Sequence, residues 1–237
     1  MINRKSRRKR TTAKTMQRKP EPELMDSPVQ TRAYADADFS DSNALFVAQF
    51  MEGFHNLDRN GRLVDLGCGP ADICIRLTDE LPGWQITGLD AGENMLRRAA
   101  EAIERAGKQD GIELRLARLP DTGLEAGSFD VILSNSLLHH LPEPMTLWES
   151  VRYLARPGAA VTVMDLRRPE SKERAQELVA MYTQDDPKVL QEDFFNSLLA
   201  AYTPDEIQGQ LQQAGMLMLS LSLPSDRHWI VRGLLPG

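Results

Sequence analysis

The sequence predicts an α/β protein built on a doubly wound, mainly parallel, seven-stranded sheet. Three observations carry this. Arg62–Leu66 is an apolar run that stops at Gly67-Cys68-Gly69, and Trp84–Asp90 is a second run that stops at an acid. From residue 62 to residue 165, strand-like and helix-like patterns alternate five times. Two further strand-like segments, 216–223 and 228–231, close the chain. Such alternation packs as a parallel sheet with helices on both faces.

Each element has its own signal. Residues 24–56 read as helical, with Leu45, Phe46, Phe50, Met51 and Phe54 spaced for one buried face. Asn60-Gly61 is a turn, and residues 62–66 form the first strand. A helix then runs to about Leu81 and is closed by Pro82-Gly83. The second strand covers 84–90, and a helix over 92–106 ends at Gly107. Strands at 112–116 and 129–134, a helix at about 144–155 and a strand at 159–165 follow, the last entered through Pro157-Gly158. The segment 166–202 breaks the alternation. It is too long for a connecting loop and reads as two helices, Glu170–Tyr182 and Pro187–Tyr202. Thr203-Pro-Asp-Glu206 is a capping box with proline at the first helical position, starting a helix to about Ala214.

Composition places a basic tail at 1–22 ahead of one domain at 23–237. Residues 1–19 hold nine Lys or Arg and no acid, so the chain's net charge of −6 leaves −15 on the remainder. The tail is too poor in apolar residues to fold and is expected to be disordered. An acidic body is a poor surface for nucleic acid unless the tail supplies the attraction. No apolar run approaches the ~20 residues of a membrane-spanning helix. Cys68 and Cys74 have neither metal-ligand spacing nor a histidine cluster beside them, so no metal is expected and a reduced, cytoplasmic setting is the simplest reading.

The glycine turn narrows the chemistry. A dinucleotide fold uses Gly-x-Gly-x-x-Gly, but the run here is Gly67-Cys-Gly-Pro-Ala-Asp72, without the third glycine. Asp65, just before the turn, would repel a pyrophosphate and attract a cofactor bearing an ammonium and a sulfonium. With Asp65-Leu-Gly-Cys-Gly69, the acid at 90 and Ser128-Phe-Asp-Val-Ile-Leu-Ser-Asn135, the sequence resembles the class I S-adenosylmethionine-dependent methyltransferases. The resemblance covers residues 60 to 165 well and the rest more loosely. It is closest in type to the small-molecule, quinone-biosynthesis members.

The resemblance implies a Rossmann-like fold, with the last strand antiparallel beside the fifth. Ligands then bind at the carboxyl ends of the strands, where strand order reverses. Segments 24–56 and 166–202 are placed to fold over that edge as a helical lid. It also implies a set of roles. Gly67, Cys68 and Gly69 set backbone against S-adenosylmethionine, Asp65 faces its amino group and Asp90 its ribose diol. Ala91 and Met95 line the adenine, Met95 being equally consistent with the core. The family often has an acid near residue 118 to read the adenine amino group. Here Leu116-Ala-Arg-Leu-Pro-Asp121 leaves that contact to backbone around Leu119. Asn135 meets the methionine portion, and Tyr34 and Phe39 cover the cofactor or pack their own helix. Ser134-Asn-Ser-Leu137 lacks the prolines and aromatic of the exocyclic-amine methylating members, which argues against that chemistry. His140, then Asp165, are the candidate bases for in-line methyl transfer to a small-molecule nucleophile. His139, Arg167 or Arg168, and His228 are candidate substrate contacts, each with an ordinary packing or solvated-charge alternative. An RNA or protein methyltransferase using the basic tail, and a non-catalytic cofactor-binding partner, stay open beside this reading.

Overall fold

A computed structural model of the chain describes residues 16–21, 27, 31–32, 34–35, 37–55 and 57–237. Its elements are α1 (Ser40–Gly53), β1 (Arg62–Leu66), α2 (Asp72–Glu80), β2 (Gln85–Asp90), α3 (Glu93–Ala106), β3 (Ile112–Leu116), β4 (Phe129–Asn135), a 3-10 turn (Leu138–His140), α4 (Met145–Leu154), β5 (Ala155–Leu166), α5 (Lys172–Tyr182), α6 (Lys188–Ala200), α7 (Pro204–Ala214), β6 (Ser220–Ser222) and β7 (His228–Leu234). The seven strands form one sheet in the order β3-β2-β1-β4-β5-β7-β6. Strands β1 to β5 run parallel, and β7 pairs antiparallel with both β5 and β6. Strand order reverses between β1 and β4, so the ligand crevice is set beyond the ends of those two strands.

Period-two alternation sorts the strand side chains to two cores. Leu63, Val131, Leu133, Ala160, Met164 and Ile230 face α1, α2 and α3. Val64, Ile132, Val161, Val163, Trp229 and Val231 face α4 and α7. Trp148 Nε1 of α4 donates to Gln210 Oε1 of α7 at 2.9 Å, fixing the two helices to each other inside the second core. A third, smaller cluster joins α5 and α6 through Ala175, Leu178, Leu198 and Leu199, with Leu166 from the end of β5.

Some boundaries differ from the sequence reading, for physical reasons. The strand expected over 216–223 shrinks to Ser220–Ser222. Gly215 ends α7 in the left-handed conformation, and Met216 N and Leu219 N close turns on Leu211 and Met216, dropping both side chains into the core. Of the helix expected over 24–56, only 40–53 is one regular helix, with a separate helical stretch among 31–35; residues 22–26, 28–30, 33, 36 and 56 lie outside the described residues. Of the tail expected over 1–22, residues 1–15 also lie outside them, whereas 16–21 are packed on the body. Lys19 N donates to Leu199 O, Arg18 Nε donates to Ala200 O at 2.6 Å, and the Arg18 guanidinium lies 4.2 Å from the Tyr202 ring centroid. These contacts reach residues about 180 positions away, which a charge count along the segment does not see.

Candidate active site

The glycine turn is built by β1 and β2 together. Gly67 N and Cys68 N both donate to Leu89 O, at 2.8 and 2.9 Å. Gly67 and Gly69 have φ of +77° and +54°, a region that side chains resist. A Cβ on Gly67 would press on Leu137 at 3.0 Å, while one on Gly69 would meet no atom within 4 Å and project into open space. Asp90 ties the turn to the next helix: Oδ2 accepts from Gly69 N at 3.0 Å and Oδ1 from Gly92 N at 2.8 Å.

A cavity opens at this point, at the carboxyl edge of the sheet. Of the ten residues proposed from sequence to hold the cofactor, eight line it: Tyr34, Gly67, Gly69, Asp90, Ala91, Met95, Leu119 and Asn135. The other two do not. The Cys68 side chain is buried and faces the Gly88 backbone, and burial pushes its thiol up. Asp65 is 1% exposed and sits behind the turn. Its Oδ2 accepts from Cys74 Sγ at 3.4 Å, and its Oδ1 has no hydrogen-bond partner among the described residues. Burial, with the Asp90 charge adding, pushes its carboxyl up to about 6. A buried carboxylate in this state suits a cationic neighbour and disfavours an anionic one.

A second cavity adjoins the first and shares Tyr34, Asn135, Ser136 and His140 with it. Ser136 holds a non-glycine φ of +56° at this junction, its N–H bonded to Met164 O. Burial and the nearby carboxylates push the Tyr34 phenol up to about 12, so it stays protonated. Phe39 packs on Tyr34, with ring centroids 4.5 Å apart, and lines the second cavity with it. The outer wall comes from Asp38–Asn43, the end of α5 and the inner side of α6. His228 lines it too: Ser225 Oγ lies 2.9 Å from its Nδ1, and burial, reinforced by Arg227, brings it down to about 4, so it is neutral at pH 7.

Three sequence expectations require correction. Asp165 is not placed as a base for a substrate. It is 1% exposed, its Oδ1 lies 2.5 Å from His139 Nδ1 and accepts from Leu166 N, and its Oδ2 accepts from His139 N. Burial raises such a carboxyl, but the His139 contacts outweigh it and hold Asp165 below its ordinary value. Arg168 is likewise buried within the fold, its Nη1 on Ala201 O and its Nη2 on Glu206 Oε1 at 2.7 Å. Arg167 turns to Asp226 O at 2.7 Å and lines neither cavity. The arginine that does line the outer cavity is Arg227, whose guanidinium lies 3.5 Å from the Tyr182 ring centroid. It belongs to Asp226-Arg-His228, a run whose place at the turn before the last strand is readable from sequence, with His228 named from it as the contact. His139 is buried and points into the outer cavity with its Nε2 3.5 Å from Glu21 Oε1. Glu21 was missed entirely, since nothing in Pro20-Glu-Pro22 marks it except an acid held between two prolines.

The strand order, the reversal at β1 and β4 and the glycine turn with its paired acid define the class: a doubly wound α/β protein with a ligand crevice at the sheet's carboxyl edge. The comparisons narrow it further. Residues 64–161 match the family model described as a methyltransferase domain. The ubiquinone biosynthesis O-methyltransferase of Nitrosococcus oceani is 36% identical over 110 residues, 45% of this chain and 44% of that protein. The 27-O-demethylrifamycin SV methyltransferase of Amycolatopsis mediterranei is 24% identical over 169 residues, 70% of this chain and 57% of that protein. A solved S-adenosylmethionine-dependent methyltransferase from Aquifex aeolicus superposes with a TM-score of 0.65 at 16% identity, covering 88% of this chain and 98% of that one. The chain therefore has the fold of the solved S-adenosylmethionine-dependent methyltransferase, and its residues 64–161 are similar to a methyltransferase domain. It spans about half the length of the curated relatives it matches. No helix among the described residues is long and apolar enough to cross a membrane.

Proposed function

We propose that this chain is an S-adenosylmethionine-dependent methyltransferase acting on a small-molecule nucleophile. The observation that carries the proposal is the inner cavity, where Gly69 leaves open space and eight residues named from the motif converge. Asp90 would hold the ribose diol, Ala91, Met95 and Leu119 the adenine, and Asn135 and Tyr34 the methionine portion. Asp65, with an unpartnered oxygen and a raised pKa, fits the positive charge of the cofactor from behind the turn. When bound, the cofactor supplies a methyl group already activated by its sulfonium. The protein's task is then to align and desolvate the nucleophile. The outer cavity is the acceptor chamber in this reading. His140, the one histidine lining both cavities, contacts the acceptor, and His228 and Arg227 bound its far side. The segment around 31–53 and the α5–α6 pair act as a lid over it. The names of the two relatives reported above place their methyl groups on oxygen, which makes phenols, quinols and carboxylates the first acceptors to screen.

Calorimetry with S-adenosylmethionine and S-adenosylhomocysteine tests the cofactor. Both should bind, and Asp90→Ala should weaken binding by about 10–100-fold, the worth of hydrogen bonds to a charged group. Asp90→Asn, which keeps acceptance from Gly69 or Gly92, separates loss of the diol contact from collapse of the turn. Absence of binding to well-folded protein would sink the proposal.

A further inference from the structure

We infer that Glu21, His139 and His140 form a binding site for a divalent transition-metal ion, a site independent of the methyl-transfer reading. One ligand atom from each of the three lies within 4.8 Å of the other two. Glu21 Oε1 is 3.5 Å from His139 Nε2 and 3.2 Å from His140 Nδ1. Those separations are longer than the ~2.7–2.9 Å of a charge-assisted hydrogen bond. They match the edge of a tetrahedron around zinc. With bonds of about 2.0–2.1 Å, neighbouring ligand atoms sit roughly 3.3–3.4 Å apart.

The surroundings favour the same reading. Asp165 lies 2.5 Å from His139 Nδ1; in the neutral imidazole this contact keeps the proton on Nδ1 and leaves the Nε2 lone pair toward Glu21, a place that a metal cation or a second ring proton fills. A carboxylate fixing the far nitrogen of a histidine is also the support that metal-bound imidazoles carry. Glu21 is held in place by Ser197 Oγ at 3.0 Å, and the segment bearing it by Arg18, whose Nη2 donates to His139 O at 3.0 Å. The Arg18 charge opposes a cation. It is outnumbered by Glu21 and Asp165 and by Asp38, Asp41, Asp186 and Asp193, which line the adjoining cavity. Two imidazoles and one carboxylate suit zinc, iron, cobalt or nickel better than magnesium or calcium. The remaining coordination position faces the acceptor chamber that His139 and His140 line, where an oxygen or sulfur donor of a small molecule would complete the shell.

The test uses the full-length, untagged chain after chelation and dialysis. Zn²⁺ is titrated by calorimetry and Co²⁺ by its visible absorption. One ion per chain is expected, with the absorption of a low-coordinate cobalt site. Glu21→Gln and His140→Gln should each weaken Zn²⁺ binding at least about tenfold, and Asp165→Asn, which weakens the support of His139 without removing a ligand, by about 10–100-fold. Circular dichroism establishes that each variant is folded. Failure of the folded wild type to bind one ion overturns the site, as does wild-type affinity in both Glu21→Gln and His140→Gln. S-adenosylhomocysteine titrated into the metal-free chain reports separately on the inner cavity, so failure of either reading leaves the other standing.

Discussion

Asp65 shows how a single side chain sets stability against binding. Its carboxyl rises from 3.8 to about 6 on folding, chiefly through burial. A group whose folded pKa is raised binds more protons in the native state than in the unfolded one. For an acid the native state is therefore favoured at low pH, and stability from this group falls as pH rises from about 4 through 6. At about 1.4 kcal/mol per unit, the ionised form costs the apo protein about 3 kcal/mol above pH 6. Asp65→Asn removes that cost, so its Tm should exceed wild type at pH 8, with the gap closing near pH 4. In the proposed function, the same substitution removes the charge that would act on the cofactor from behind the turn. In wild type, S-adenosylhomocysteine affinity should climb as pH rises through about 6 and then level. In Asp65→Asn it should be weaker and flat over that range. Calorimetry from pH 5 to 8 reads both curves, and a pH-independent wild type would remove Asp65 from cofactor binding. The acid was legible in the sequence because the motif puts it two residues before Gly67. Its concealment behind the turn was not, since that depends on Cys74 arriving from α2.

At the scale of elements, local signals were the readable ones. The capping box at Thr203-Pro-Asp-Glu206 is realised in full: Thr203 Oγ1 accepts from Glu206 N at 3.3 Å, and Glu206 Oε2 accepts from Thr203 N at 2.8 Å. What no local pattern reveals is that Glu206 also accepts from the buried Arg168. The two capping residues should therefore differ in cost. Thr203→Ala loses a cap, worth about 1 kcal/mol. Glu206→Ala loses the reciprocal bond and strands a guanidinium whose side chain is 3% exposed. Breaking a buried pair costs ~3–5 kcal/mol, less here because Glu206 is 41% exposed and water reaches it. Urea unfolding of the two variants should rank Glu206→Ala as the more destabilised, and equal midpoints would show that Arg168 finds water instead. The misassignment of Arg168 to the substrate has the same origin. From sequence it is one of two adjacent arginines at a strand end, and only the approach of α7 commits it to the fold.

At the scale of the molecule, the sheet, its order and its ligand edge follow from alternation and one glycine turn, which is why they were readable along the chain. The outer cavity is assembled from segments far apart in sequence. Glu21, Asp38–Asn43, His139-His140, α6 and Arg227-His228 meet only after folding, so its acids escaped a motif-based reading. That construction has a dynamic consequence. The α5–α6 wall lies outside the two large cores and is joined by a small cluster of its own, and Tyr34 and Phe39, which precede α1, belong to neither core, whereas α1 itself is packed into one through Phe46 and Phe50. Met181 and Tyr182, at the chamber end of α5, are 57% and 40% exposed. Elements with few buried apolar contacts open at lower free energy than a central sheet. Tyr34 lines both cavities, so a ligand filling the inner one would be felt at the outer wall. Amide hydrogen exchange should therefore show fast opening in 37–39 and 172–200 and slow exchange in β1, β4 and β5. S-adenosylhomocysteine should slow exchange in the first two segments several-fold beyond its effect on the sheet. A uniform change across the chain would instead report simple global stabilisation by binding, in which case these segments are fixed walls rather than a lid.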